Sequence, residues 1–180
     1  NPAGWAVNAY FSEDVKISDI KIISARSNGD GITVQSCRNL TATDCFVRSW
    51  DDSLVVKDYD DGNTKGVTFD GIIIWSDLAQ SCEVGYETRG DFIEDVTFRN
   101  ITVLHNFHKP VMSIHNGDRA MVRNIRFENI TVEDAQMGEG DAARDNFLID
   151  LWIGVGPWSK TMERGNIRDV YFNNINVLGG

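Results

Sequence analysis

The chain has 180 residues, of which 42% are hydrophobic and 24% charged, with 16 Gly and only 3 Pro. This is the composition of a globular domain, and it excludes disordered, collagen-like and low-complexity chains. Acidic residues outnumber basic ones by 27 to 17, a formal net charge of −10, so no nucleic acid is expected as a partner. The longest run of hydrophobic residues, 72–75, is too short to cross a bilayer, so no membrane is expected either.

One nine-residue template recurs six times along the chain. The six copies are residues 14–22, 39–47, 66–74, 95–103, 124–132 and 169–177. Apolar residues alternate with other residues in each copy, slip by one position, and alternate again, as in Val96, Phe98, Ile101 and Val103. Alternation predicts a β-strand, and the slip predicts a corner after which the strand faces the same core.

The copies follow one another at a nearly constant distance, which predicts a solenoid. Their first apolar residues are 25, 27, 29, 29 and 45 residues apart, and shorter alternating runs lie between them. Each unit must stack on its neighbours to bury its apolar face. We therefore predict one all-β domain over residues 1–180, a right-handed parallel β-helix of six or seven coils. An antiparallel sandwich is the alternative, but it would not produce a template at a long constant period.

Three further patterns carry structural predictions. Asn100 and Asn129 begin glycosylation sequons, but together with Asn174 they occupy one corner of successive units, which favours a ladder of stacked amides. The three cysteines are too few for a disulfide framework and are expected to be buried free thiols. The long gap between the last two copies contains residues 138–141, predicted to be an excursion from the side of the solenoid.

Three aspartates precede two consecutive strands. Aligning the alternating runs 32–34 and 54–56 brings Asp30 and Asp52 into register on neighbouring coils, with Asp51 beside them. Aspartate is common in turns before strands, so a single one would need no functional explanation. Three carboxylates stacked this closely repel one another, and a purely structural role does not explain what offsets that repulsion. Glycoside hydrolysis uses such a set, with one protonated carboxyl acting as acid and ionised carboxylates activating water.

Two motifs resemble those of the polygalacturonase family, glycoside hydrolase family 28. These are the Asn-Gly-Asp-Gly run at residues 28–31 and the Asp-Asp pair at 51–52, whose aspartates are separated by the family spacing of 21 residues. The resemblance implies a right-handed parallel β-helix and an inverting hydrolase. It implies that Asp51 is the general acid and that Asp30 and Asp52 hold and activate the water. No cofactor and no metal are expected.

The sequence also departs from the family pattern at two places. The family's Gly-His-Gly motif reads Ala-Gln-Ser here, with Gln80 in place of the histidine, and the Arg-x-Lys pair that grips the galacturonate carboxylate corresponds to Val111 and Ser113. Lys109 and His115 lie close by in sequence as partial substitutes. Arg and Lys would supply charge-assisted bonds to an anionic sugar, so the departure favours a neutral or differently decorated glycan.

The remaining substrate-binding candidates follow from neighbourhood and residue type. Aromatic faces offer apolar area to a pyranose, and Trp50 is preferred because it adjoins the acid, with Trp5, Trp75, Tyr86, Trp152 and Trp158 as further aromatic candidates. The polar candidates, on the same outer face as the aspartates, are Asn28, Lys57, Glu83, Glu87 and Arg89.

Three readings of the function remain open on the sequence. The first is a polygalacturonase-type hydrolase acting on a polysaccharide, the second a related β-helix hydrolase for a neutral glycan, and the third a non-catalytic carbohydrate-binding β-helix. Family members have coils before the Asn-x-Asp motif, and only 27 residues precede it here, so N-terminal coils are expected to be lacking. Open solenoid ends would favour self-association. The chain begins Asn1-Pro2, which suggests a processed or truncated end, and a secreted or periplasmic location is expected.

Overall fold

Every regular element in the described part of the protein is a β-strand. A computed structural model describes residues 4–59, 62–136 and 147–179, and these ranges contain no helix and therefore no helical membrane span. In chain order the strands are β1 (Val7–Tyr10), β2 (Glu13–Ser18), β3 (Lys21–Ile23), β4 (Ile32–Gln35), β5 (Arg38–Thr43), β6 (Phe46–Ser49), β7 (Leu54–Asp58), β8 (Thr64–Asp70), β9 (Ile73–Ser76), β10 (Cys82–Thr88), β11 (Phe92–Asn106), β12 (Met112–Asn116), β13 (Met121–Val132), β14 (Ile149–Ile153) and β15 (Asn166–Val177). The predicted excursion at 138–141 lies outside the described residues.

The strands stack in parallel and build a β-solenoid. The first sheet has the order β1-β4-β7-β10-β12-β14, and the template copies form the second set of strands, in which β11 pairs with β8, β9 and β13. All of these named strand pairs are parallel, so the antiparallel sandwich is wrong. About four turns, beginning with β4, β7, β10 and β12, have neighbours on both sides. The predicted parallel solenoid is confirmed. The predicted number of six or seven coils is higher than the number of turns observed.

Each template copy turns at two positions with left-handed backbone. The first position has φ between 52° and 70° and carries Asp, Asn or Gly, namely Asp14, Asn39, Gly66, Asp95, Asn124 and Asp169. The second follows the same rule, with Asp19, Asp44, Gly71, Asn100, Asn129 and Asn174. These three residue types tolerate this conformation best, which explains why the template keeps them.

The predicted amide ladder is confirmed at the second of these positions. The Asn129 amide donates to the Asn100 carbonyl oxygen at 3.1 Å, and the Asn174 amide donates to Asn129 at 3.0 Å. Asn100 in turn donates to the Asp70 carboxylate at 2.7 Å. Each of these side chains therefore links one coil to the next at this corner.

The core consists of identical template positions stacked along the axis. Phe69, Phe98, Phe127 and Phe172 form one column with ring centroids 5.0–5.1 Å apart and nearly parallel planes. The first three of these rings are fully buried. The predicted aromatic column is confirmed, and the three cysteines are buried and free as expected.

Candidate functional site

The predicted aspartates lie around one open cavity of about 130 Å³. It extends along the first sheet, from residues that precede β4, β7 and β10 to Lys57 in β7 and to Tyr86 and Glu87 in β10. Its lining residues are Trp5, Asn28, Asp30, Asp51, Asp52, Lys57, Gln80, Tyr86, Glu87 and Trp158.

Strand register brings Asp30, Asp52 and Gln80 together from three turns. Ile32 pairs with Leu54, and Leu54 pairs with Cys82, so the residues two positions earlier are also neighbours. The Asp52 carbonyl accepts the Gly31 N–H at 2.8 Å, and the Gln80 carbonyl accepts the Ser53 N–H at 2.8 Å. The alignment predicted from the alternating runs is therefore confirmed at the level of the backbone.

Gly31 permits this close stacking. A Cβ at this position would lie 2.3 Å from the Ser53 carbonyl oxygen and 2.4 Å from a methyl group of Val47. No side chain fits at those distances without moving the backbone of the next coil. The glycine that follows Asp30 in the motif thus has a steric role, which is to let the two aspartate-bearing strands approach each other.

The carboxylates hold few hydrogen bonds for groups so deeply placed. Asp30 is 2% exposed and accepts a long bond from the Thr33 hydroxyl at 3.5 Å. Asp52 is 9% exposed and accepts the Gln80 N–H at 3.3 Å. Asp51 is half-buried, and its carboxylate accepts the N–H of Asp52 at 3.0 Å.

Burial shifts the titration of two of the three aspartates. Desolvation raises the pKa of Asp30 to about 7, although the Lys57 cation opposes the shift. Desolvation also raises the pKa of Asp52 well above its ordinary value, and the charges of Glu83, Asp51 and Asp30 add to that effect. A proton is therefore held in this cluster near neutral pH.

Lys57 is the one cation among the described residues that line the cavity. Its ammonium group forms an ion pair with Glu87 at 3.2 Å and lies 5.0 Å from the centre of the Trp5 ring. Burial by itself lowers the pKa of Lys57, but the carboxylates of Asp52, Glu87 and Asp30 outweigh it and raise that pKa. Lys57 is therefore charged and already matched by carboxylates of the protein.

Two predicted binding residues, Glu83 and His115, are part of a buried polar network beside the cavity. The His115 ring contacts Glu83 through Nδ1 at 2.8 Å and Asp150 through Nε2 at 3.1 Å, and the Ser113 hydroxyl donates to Glu83. Burial lowers the pKa of His115, but the two carboxylates outweigh burial and raise it to about 10. The Tyr86 ring covers the imidazole face to face at 4.4 Å. His115 thus has its charge balanced within the protein.

Three other predicted residues do not line the cavity. Trp50 is 39% exposed, and its carbonyl accepts the Ala79 N–H at 3.3 Å. The Arg89 guanidinium lies 4.2 Å from the centre of the Tyr59 ring. Lys109 is half-buried, and its carbonyl accepts the Asn106 amide. The structure brings Asn28, Gln80 and Glu87 to the cavity. Trp50, Arg89 and Lys109 are not among its lining residues.

The aromatic walls of the cavity are Trp5, Tyr86 and Trp158. All three are aromatic candidates from the sequence. The sequence favours Trp50 instead, because Trp50 is next to Asp51 in the chain. Trp158 is 107 residues away from Asp51 in sequence, and no periodic signal marks it. Among the described residues, no group of three or more His, Cys, Asp or Glu side chains is arranged to hold a metal ion.

Comparison with known proteins finds a family match and a distant relative. The profile described as "Glycosyl hydrolases family 28" matches residues 1–138. The chain is also 24% identical over 151 residues to "Probable endopolygalacturonase D" of Neosartorya fischeri, an alignment covering 84% of this chain and 30% of that protein. The chain thus spans about a third of the length of this relative.

Proposed function

Because the chain belongs to glycosyl hydrolases family 28, we propose that it is an inverting hydrolase of polygalacturonase type acting on a polysaccharide. The observation that carries the proposal is the convergence of Asp30, Asp51 and Asp52 on one cavity from two stacked turns. A right-handed path of the solenoid, which parallel crossovers favour, and a secreted or periplasmic location are part of the same proposal.

Each aspartate has a role that its surroundings support. Asp51, half-buried at the cavity edge, donates a proton to the leaving glycosidic oxygen. Asp30 and Asp52 hold a water molecule and remove its proton as it attacks the anomeric carbon from the opposite face. The Lys57 cation favours the ionised forms of both aspartates, which is the state that a base requires.

The electrostatics add a condition to this assignment. With the pKa of Asp30 at about 7 and that of Asp52 also raised, the pair retains a proton at acidic pH and cannot act as base there. The family resemblance makes Asp51 the acid, whereas the raised pKa values of Asp30 and Asp52 are also a property of a proton donor. A substrate with a good leaving group separates the two assignments, because such a group leaves without protonation.

The charges that line the cavity favour a substrate whose sugar ring in the cavity has no free carboxylate. Four carboxyl groups and one cation line it, and that cation is paired with Glu87 at 3.2 Å. Val111, at one position of the family's Arg-x-Lys pair, is fully buried in the core, and Ser113, at the other, donates to Glu83. We therefore propose that the preferred substrate is a neutral or differently decorated glycan.

The test is hydrolysis of a substrate panel by the wild type and by Asp51→Asn. The panel contains de-esterified polygalacturonate, neutral galactan, glucan and rhamnose-containing pectin. We expect at least about tenfold poorer kcat/KM on polygalacturonate than on the preferred glycan, since losing a charge-assisted contact is worth roughly 1.5–3 kcal/mol. Efficient turnover of polygalacturonate, abolished by Lys109→Ala, would show that the basic clamp has moved and would refute the neutral substrate.

The acid assignment has its own test. On a glycosyl fluoride of the preferred sugar, Asp51→Asn should retain a large fraction of wild-type activity, whereas Asp30→Asn and Asp52→Asn should not. If Asp30→Asn or Asp52→Asn retains activity on the fluoride and Asp51→Asn does not, the proton donor is Asp30 or Asp52 and Asp51 belongs to the base.

A non-catalytic carbohydrate-binding solenoid is the second candidate. The observation that favours it is Gln80, which lines the cavity where the resemblance expects a histidine and which cannot transfer a proton. Binding of panel oligosaccharides without release of reducing ends by the wild type would select this candidate.

A further inference from the structure

The connection between β14 and β15 reaches the cavity through Trp158. Residues 154–165, here called the strap, contain no strand and run beside the loop that follows β12. They place Trp158 in the cavity wall together with Asp51 and Lys57. This wall comes from a part of the chain beyond residues 1–138, the range that the family profile matches.

A buried carboxylate anchors the strap. Asp118 is fully buried, and its Oδ1 accepts the backbone N–H groups of Lys160 at 2.8 Å and Thr161 at 2.7 Å, as well as the Thr161 hydroxyl at 2.9 Å. The Gly117 carbonyl next to it accepts the Arg164 guanidinium at 2.7 Å. Hydrogen bonds to a charged acceptor are among the strong ones in proteins, so the strap has a defined position.

Trp158 is held against the cavity but is not packed into the core. Its side chain remains half exposed, and its ring centre lies 5.2 Å from that of Tyr86. Tyr86 is itself fixed, because its ring stacks on His115 at 4.4 Å. The anchored loop keeps the large apolar surface of the indole in contact with water, which is unfavourable. A ligand that covers the indole would remove this surface from water.

We propose that Trp158 is a specificity-determining residue that stacks on a sugar ring bound next to Asp51, and that Asp118 is the positioning residue for it. The inference rests on the proposed function. The ligand class is a pyranose that presents an apolar C–H face, as a neutral galactoside does, because the indole offers apolar area and no charge to pair with a carboxylate.

The experiment compares Trp158→Ala and Trp158→Phe with Met162→Ala as the matched control. Met162 lies in the same strap, is 92% exposed and does not line the cavity. We expect Trp158→Ala to raise KM on the preferred glycan of the panel about tenfold with kcat changed less than about twofold, because stacking is lost and the acid and base stay in place. Trp158→Phe should restore most of the affinity, and Met162→Ala should behave as wild type.

Calorimetric binding to the Asp51→Asn variant separates this inference from the proposed function. β-1,4-Galactotriose and trigalacturonate are the probes, and Trp158→Ala in that background should weaken galactotriose about tenfold. Asp118→Ala should weaken it similarly, whereas Asp118→Asn, which keeps the acceptor oxygen, should weaken it less.

The possible outcomes distinguish the role of Trp158 from the hydrolase proposal. If the wild type cleaves a panel substrate but Trp158→Ala leaves both KM and the dissociation constant unchanged, the inference is overturned while the hydrolase proposal stands. If no panel substrate is cleaved but galactotriose binding depends on Trp158, the hydrolase proposal fails and the stacking role is supported. Tighter binding of trigalacturonate than of galactotriose would overturn the ligand class.

Discussion

Replacing Asp30 by Asn should stabilise the protein at neutral and alkaline pH. Asp30 is 2% exposed, and burial raises its pKa from 3.8 to about 7. Between these two values the unfolded chain has released the proton while the folded protein still holds it, so the stability of the wild type falls as the pH rises through this range. The separation of the two pKa values corresponds to about 4 kcal/mol once the pH exceeds 7.

Asparagine removes this pH dependence because it does not ionise. The difference in unfolding free energy between Asp30→Asn and wild type should be near zero at pH 4 and rise to about 4 kcal/mol in favour of the variant at pH 8. Urea denaturation at pH 4, 5, 6, 7 and 8 measures it. Asn28→Gly is the control, since it alters a neutral side chain of the same cavity and its effect should not vary with pH. A flat difference curve for Asp30→Asn, or a variant less stable than wild type at pH 8, would refute the reasoning.

Three further predictions concern the core, the corners and the charge of the cavity. Phe98→Ala should cost about 3–5 kcal/mol in urea denaturation, because the ring is fully buried between two others, whereas Phe107→Ala, at a ring 42% exposed, should cost less than about 1 kcal/mol. Asn129→Ala should lower the thermal midpoint more than Asn129→Gly does, because both variants lose the amide ladder but only glycine accepts a φ of 54° without strain; equal losses would contradict this account. Lys57→Met should move the acid limb of the kcat/KM profile to higher pH, because the cation that opposes the raised pKa of Asp30 is gone; an unmoved limb would count against Asp30 as part of the base.

Much of the fold could be predicted because a solenoid repeats its local rules. The template alternates with period two, so its strands, its inward residues and its phenylalanine column follow from spacing alone. The sequence also carries a corner signal, Asp, Asn or Gly, at both left-handed positions of the template. The sequence predicts six or seven coils, whereas the structure has about four turns with neighbours on both sides, because the first and last template copies each have a neighbour on one side only.

The candidate site was predictable where it follows strand register. Asp30, Asp52 and Gln80 lie at equivalent positions of consecutive turns, so the alignment of apolar residues brings them together. Lys57 follows from alternation along β7, but the register between β7 and β10 shifts between Val84 and Thr88, so the position of Glu87 does not follow from regular register.

What the sequence by itself determined is therefore everything periodic: the parallel solenoid, its core columns and the aspartate cluster that strand register places on one face. The tertiary structure decided the rest, because non-periodic contacts have no sequence signature. It enclosed His115 between Glu83 and Asp150, so the imidazole is paired with carboxylates of the protein itself. It also brought Trp158 to the cavity through a strap fixed by Asp118, because hydrogen bonds between distant loops depend on where each loop ends in space.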